Sequence, residues 1–405
     1  MTVNKGDPRA LRTQNRRTIL NHLRKLGPTS RAQLVDITGL SSAGITGITA
    51  ELIQDRLIVE RSIGEAGATG GRRPIYLDID YTAHFAVGIK LREDRMEAVL
   101  TDLSTRVLAH RTEELTSQDP DKVALQIKVA CKKLYKKARV APEDVLGIGI
   151  GLSGVIDARH GVAINAPLFG WSNVPIAQTV SEHTGLPVWV DNDVNAFAAA
   201  ERLFGHGKQF DSFLTVAIGR GLGSALVLDG NIYRGRNGGA GEFGHNMVQP
   251  GGRTCSCGRK GCLEAYTAEP ALLAQFQERH PEHTGITLPN LVQLAQDGHM
   301  GAREVLETAG RLLGVHLSYL VNSFNPELIV IGGEGAQLGP FYFTPLKQTL
   351  RQQAFDSLAE DLQVVVVPWN KDDFTPWAQG AASLAVHSAF ETGEVVKTLQ
   401  SRPNP

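Results

Sequence analysis

The chain has 405 residues, 42% of them hydrophobic and 20% charged, which at roughly 100 to 200 residues per domain allows two to four domains with real cores. Its 41 Lys and Arg against 42 Asp and Glu give a formal net charge of −1, so the overall balance points neither to nucleic acid nor to an anionic membrane. Four cysteines are too few for a disulfide-built secreted scaffold, the segment MTVNKGDPRALRTQNRR lacks the apolar core of a signal peptide, and no run reaches the roughly 20 apolar residues of a membrane span; the expectation is a cytoplasmic protein without a membrane partner.

The charge is nevertheless uneven. Residues 1 to 77 hold 12 basic and 6 acidic side chains, leaving 29 basic and 36 acidic in the rest. Within this basic head, Ile19, Leu20, Leu23 and Leu26 recur at helical spacing among arginines and stop at Gly27-Pro28. Ser30 and Gln33 form a capping-box pattern for a second, short helix that Gly39 ends. A third starts at Ser41 or Ser42 with Ile45, Ile48, Leu52 and Ile53 on one face, leaving Ser42, Thr46 and Thr49 toward the other. Two strands, at Leu57-Ile58-Val59 and Ile75-Tyr76-Leu77, then flank the glycine-rich tip GEAGATGGRRP. Short helix, glycine turn, longer helix and a basic wing make a winged helix-turn-helix. On double-stranded DNA its third helix would lie in the major groove, with Ser42, Ala43, Thr46 and Thr49 toward the bases and Arg72 and Arg73 on phosphates or in a narrow minor groove.

From residue 78 strands alternate with helices. Strands are predicted over 84–91, 96–103, 107–114, 145–151, 188–190, 213–218, 224–228 and 364–367, with another at LIVIGG. Helices are predicted over 121–139, 195–204 and 303–324. This is α/β grammar, in two lobes.

Three motifs carry chemistry. CSCGRKGC with the upstream GEFGH offers three soft thiolates, Cys255, Cys257 and Cys262, and the imidazole of His245, a closed Cys₃His shell that suits structural Zn²⁺. VDNDVNAF places Asn192 and Asp193 where a strand ends and a helix begins, the position at which α/β proteins bind ligands; Glu242 and Glu264 hang on the backbone that a metal would fix. Asx-rich turns also cap helices, but together these residues describe a polyol site. Gly219-Arg220-Gly221-Leu222-Gly223 and Gly332-Gly333 can cradle phosphates or simply turn strands.

The winged head SRAQLVDITGLSSAGITGITAELIQDRLIVE, the wing GGRRP, DNDVNAFAAAERLFG, GEFGH and CSCGRKGCLEAY together resemble the ROK family of repressors, open reading frames and kinases, over nearly the whole chain. The resemblance implies an actin-like, two-lobed sugar-kinase fold with zinc in the second lobe. Its domains would be the DNA-binding head at 1–77, a first lobe at 78–194 completed by a helix at about 379–398, and a second lobe at 195–378 that carries the zinc and dimer-forming elements. It implies His245, Cys255, Cys257 and Cys262 as zinc ligands. Sugar contacts would come from Asn192, Asp193, Glu242, His245 and Glu264, and Asp193 matches the catalytic base of the kinases.

Kinase members open the fold with Asp-x-Gly-Gly-Thr, whereas this chain has AVGIKLRED, with Ile89, Lys90 and Leu91 where backbone must approach phosphates. The expectation is therefore no enzyme but a nucleoid-associated, sugar-responsive repressor. Asp193 is then a vestigial base, and the effector is a monosaccharide of the xylose, glucose or N-acetylglucosamine class. A homodimer, or a tetramer of paired dimers, would span a pseudo-palindromic operator. The competing expectation is an ATP-dependent hexose kinase with an appended DNA-binding head. Leu168 in APLFGW, where family members often carry asparagine, bears on which sugar fits.

Overall fold

A computed structural model describes residues 8–62, 75–369 and 373–393. It divides into two compact units, one running to Gln209 and resuming at Phe374, the other from Phe210 to Asp373.

The first unit opens with helices Pro8–Leu26, Arg31–Thr38 and Ser42–Gln54. Ser30 caps the second helix with the reciprocal bond to Gln33, Gly39 ends it in the left-handed conformation (φ 68°), and Ser41 caps the third by accepting from Gly44 N–H. Strands Ile58–Ser62 and Ile75–Ile79 pair antiparallel, and the two-residue strand Thr29–Ser30 adds to the second of them. The order of elements is the one expected for a winged helix; its tip, including Arg72 and Arg73, lies outside the described residues.

The same unit holds a five-stranded sheet in the order Val188–Asn192, Val145–Leu152, Phe85–Leu91, Arg95–Asp102, Val107–Glu114. The first three strands in chain order form an antiparallel meander and the last two add parallel to it. One face is covered by helices Pro120–Ala138 and Ile176–Thr184, burying Ile127, Leu134 and Val180 against Val87, Ile148 and Val190. The other face takes the closing helix Thr375–Thr392, which lies so near the strands that a Cβ on Gly88 or Gly149 would collide with its backbone at Ala378, Ala381 and Ala382. Glycines in the strands and alanines in the helix are one steric solution.

The core of the head is continuous with that of the first lobe. Ile19, Leu20, Leu23, Leu34, Ile45 and Leu52 are fully buried in one cluster with Ala86, Val99, Leu203, Ala382, Val386 and Phe390 of the first lobe. At roughly 1.5–3 kcal/mol per buried aliphatic side chain, this shared core holds head and lobe as one body. Polar bonds reinforce it. Arg24, 2% exposed, donates to the carbonyls of Arg202 (3.1 Å) and Leu203 (2.7 Å), and Arg16 donates to Gly393 O (2.7 Å) while pairing with Glu51 and Asp55.

The second unit repeats the plan. Its sheet runs Asn231–Tyr233, Leu222–Leu228, Phe213–Ile218, Leu328–Gly332, Gln363–Val366, again an antiparallel meander extended by two parallel strands. Helix Met300–Phe324 packs along Pro340–Gln353, and Leu306, Leu313, Leu317, Tyr342, Leu346 and Leu350 form the centre of its core. The expected strands of both sheets are present with small shifts of their ends. A three-stranded sheet over Val155–Asp157, Val162–Ala166 and Trp171–Val174 is additional to them. Leu168 sits exposed in the turn between the last two of these strands.

Candidate ligand and metal sites

The segment Asp191-Asn192-Asp193 ends a parallel strand and starts helix Asp193–Phe204. Asn192 is the helix cap: its Oδ1 accepts from Val194 N–H (2.8 Å) and its amide donates to Gly154 O (3.0 Å). Asp191 is buried, accepting from Asn192 N–H and from Asn195 at 2.8 Å each. Asp193 accepts from Ser153 Oγ at 2.8 Å and pairs closely with the Lys90 ammonium, both on Oδ2. Burial opposes the charge on Asp193, but the Lys90 ammonium, its hydrogen bond and that of Ser153 outweigh burial and hold the carboxyl below its ordinary range. Lys90 Nζ also stands 5.4 Å from the centre of the Trp377 ring. Sequence reasoning saw Lys90 only as bulk. The signal was there in a lysine on an otherwise apolar buried strand, which requires a counter-charge.

In the second unit Glu242, His245, Cys255 and Glu264 form a chain of contacts. His245 Nε2 lies 3.7 Å from Glu242, His245 Nδ1 lies 3.6 Å from Cys255 Sγ, and Cys255 Sγ lies 3.3 Å from Glu264 Oε1. Glu264 is buried and both its oxygens are engaged: Oε2 accepts from Leu222 N–H (3.0 Å) and Oε1 from Ser256 Oγ. It fastens the cysteine loop to the glycine turn. A Cβ at Gly221 would press on Glu264 Oε2 and displace it from this contact.

The loop itself is tied by bridges Met247–Cys262 and Thr254–Lys260, and one donor atom from each of His245, Cys255, Cys257 and Cys262 lies within 4.8 Å of all the others. The Cys257–Cys262 sulfur separation is 3.8 Å. A tetrahedron with thiolate arms of about 2.3 Å has sulfur–sulfur edges of about 3.8 Å, and a nitrogen arm of about 2.0–2.1 Å gives a nitrogen–sulfur edge of about 3.5 Å. These two separations match the edges of such a shell, and the remaining donor pairs lie within 4.8 Å. Burial pushes the Cys255 thiol up to about 12; at Cys257 burial is outweighed by the Arg259 N–H and the neighbouring cysteines, which draw it down to about 7. Metal capture by such a set releases protons and weakens in acid. Cys131 is a buried thiol on helix Pro120–Ala138 of the first unit.

On the third head helix Ser42, Ala43 and Thr46 are exposed. Thr49 is not: it is fully buried, donates to Thr46 O (3.2 Å) and accepts from Arg31 (3.2 Å), so it does not join them on the outer face. Four residues after Ile45, it lies only about 40° from it around the helix, on the core side.

The family model described as "ROK family" matches residues 86–388. The chain belongs to the ROK family. Among ROK relatives, the "Xylose repressor" of Caldicellulosiruptor bescii is 30% identical over 349 residues, 83% of this chain and 87% of that protein. The crystal structure of a ROK family transcriptional regulator, homolog of the Escherichia coli MLC protein, matches with a TM-score of 0.83 at 29% identity, covering 96% of this chain and 98% of that one. A ROK family glucokinase from Streptomyces griseus, in complex with glucose and AMPPNP, matches with a TM-score of 0.63 at 26% identity; it is covered over 99% of its length but covers 75% of this chain. The kinase covers three quarters of this chain and the regulator nearly all of it. The curated repressors and these neighbours make the α/β body of the chain an actin-like ROK body.

Proposed function

We propose that this ROK protein is a sugar-responsive repressor that binds operator DNA through a winged helix-turn-helix spanning 1–77. The observation that carries this reading is the head whose core is continuous with the first lobe. Helix Asp193–Phe204 begins at the DND segment and ends where Arg24 of the head takes its last carbonyls. A ligand that shifts the start of that helix changes the seat of the head. Sugar releases DNA to the extent that it binds the non-binding conformation better.

In this reading Ser42, Ala43 and Thr46 face bases, and Arg72 and Arg73 anchor the wing. Asn192, Asp193, Glu242, His245 and Glu264 recognise a monosaccharide of the xylose, glucose or N-acetylglucosamine class. Zn²⁺ is the metal of His245, Cys255, Cys257 and Cys262; a closed four-ligand shell stabilises the loop and leaves no position for activating water. The protein acts as a homodimer that can pair into tetramers, so that two heads meet half-sites about one helical turn or a multiple apart. Phosphoryl transfer is not its work. Asp193 is neutralised by Lys90, and Leu222 N–H, a donor in the glycine turn, is committed to Glu264.

Fluorescence anisotropy on DNA upstream of its own gene, at fixed salt, with xylose, glucose and N-acetylglucosamine, tests the reading. Tight binding released by one sugar is the expected result. Absence of specific binding, together with sugar-dependent ADP release abolished by Asp193→Ala, would replace it with the kinase.

A further inference from the structure

Lys90 stands on strand Phe85–Leu91 beside Gly151 of the parallel neighbour, just as Ala217 stands beside Gly332 in the second sheet. The fold therefore asks for a small residue here and tolerates a lysine. A buried ammonium is costly unless paired. Both donors to Asp193, Lys90 and Ser153, lie on the same oxygen, Oδ2, which fixes the rotamer of the carboxylate. Trp377, 9% exposed and edge-on to Phe197 at 6.1 Å, walls the ammonium on the closing-helix side.

Other charges around this pair are engaged. Glu97, opposite Lys90 in register, accepts from Thr112 (2.7 Å) and meets His110 (2.9 Å). Asp191 is held by Asn192 and Asn195, Asp157 by His160, and on the closing helix Glu391 and His387 lie with Arg202. Among the described residues these groups have partners of their own, and the Lys90–Asp193 pair balances its own charge.

We propose that Lys90 is a specificity-determining positioning residue of the effector site: by taking up Oδ2 of Asp193 it keeps that carboxylate a fixed hydrogen-bond acceptor for a hydroxyl and reserves the site for an uncharged monosaccharide over its phosphate ester. The inference rests on the assignment of Asp193 to the sugar. A hydroxyl donating to an ionised, oriented carboxylate gains the strength of a charge-assisted bond, whereas a phosphate would meet a carboxylate whose counter-charge is already spent.

The test is calorimetric titration of the full-length protein with D-xylose, D-glucose, N-acetyl-D-glucosamine and the phosphate esters of these sugars, between pH 5.5 and 8, for wild type, Lys90→Met, Lys90→Arg and Lys90→Met/Asp193→Asn. Wild type should bind one neutral sugar with a flat pH profile and its ester at least roughly tenfold more weakly. Lys90→Met should lose roughly tenfold at pH 7 and lose more as the solution is acidified, because the unpaired buried carboxyl then takes a proton within the range. Lys90→Arg should restore the flat profile. The double variant should melt nearer to wild type than Lys90→Met does, yet not recover sugar affinity, which separates positioning from folding. Wild-type affinity and a flat profile in Lys90→Met would overturn the role of Lys90 alone, and an ester that binds more tightly than its parent sugar would overturn the uncharged ligand. Binding of none of the three sugars by wild type would overturn the sugar reading itself and this inference with it.

Discussion

The two sheets follow one plan, yet the turn that opens each has been put to opposite use. In the first, strand Phe85–Leu91 ends on Lys90-Leu91 and delivers a cation to Asp193; in the second, strand Phe213–Ile218 ends on Ala217-Ile218 and runs into glycines that admit carboxylates, Glu264 onto Leu222 N–H and Glu334 against Gly219. Glu269, half-buried nearby, has its carboxyl raised by burial and by Glu334, with Arg220 opposing. A site for a polyphosphate wants bare backbone N–H groups and positive potential at both turns. Here one turn has its positive charge neutralised and the other is lined with acids. Shared topology fixes where a ligand can sit, and the side chains at the two turns decide which ligand it is.

The comparison breaks most completely at the cysteine loop. Cys262→Ala removes a buried member of the proposed zinc shell, and structural zinc contributes on the order of 10 kcal/mol in small metal-built folds. Bound zinc, read by mass spectrometry, should fall from about one equivalent per chain to none, and limited proteolysis should cut within 245–266 while the first unit stays intact. Retention of Glu264's function would show as normal induction in that variant, and would uncouple the loop from sugar sensing.

Asp193→Asn is the next largest. It leaves the Lys90 ammonium buried without a counter-charge, which costs about 3–5 kcal/mol where a buried pair is broken. The pH dependence of the intact pair has a definite sign. Because the carboxyl lies below its unfolded value, the pair's contribution is whole above about pH 4 and is lost progressively as pH falls from there through the lower folded value. Urea melts of wild type and Asp193→Asn should therefore converge only in strong acid; a constant gap down to pH 3 would contradict the assignment.

Arg24→Ala tests whether head and lobe move as one. It strips two carbonyls at the end of helix Asp193–Phe204 of their donor and empties a fully buried position, for about 3 kcal/mol. Burial lowers the guanidinium to about 10, with Arg202 adding to the effect, so it stays charged throughout the physiological range. DNA affinity should change little at saturating folded protein while the sugar's effect on it shrinks. Unchanged induction would exclude this contact from the coupling.

What could be read from the sequence was local. The capping box and glycine ends lie within a few residues, the Cys₃His set within eighteen, and the strands of both sheets announce themselves as apolar runs. What joins them was not legible. Lys90 and Asp193 are 103 residues apart, and Arg24 finds its carbonyls 178 and 179 residues on. Thr49 was assigned outward because hydroxyls at 42, 46 and 49 share a helical stripe, but that stripe borders the core, and Arg31 from the preceding helix supplies the partner that lets a threonine be buried. The small sheet over 155–174 has strands of three to five residues separated by turns, too short for alternation to stand out.

Ser153→Ala is the smallest change and the sharpest probe of what holds Asp193. It removes one hydrogen bond to a carboxylate oxygen that keeps its cation, so the expected loss of stability is about 1.5 kcal/mol, at the low end for bonds to charged groups. If Lys90 alone orients the carboxylate, sugar affinity should hardly move and its pH profile should stay flat. If the hydroxyl is needed to aim it, affinity should fall without any new pH dependence, because the charge on Asp193 is untouched. A pH-dependent loss in Ser153→Ala would mean that the hydroxyl, not the ammonium, keeps the group ionised, and the contrast between the two turns would then rest on a hydrogen bond rather than on charge.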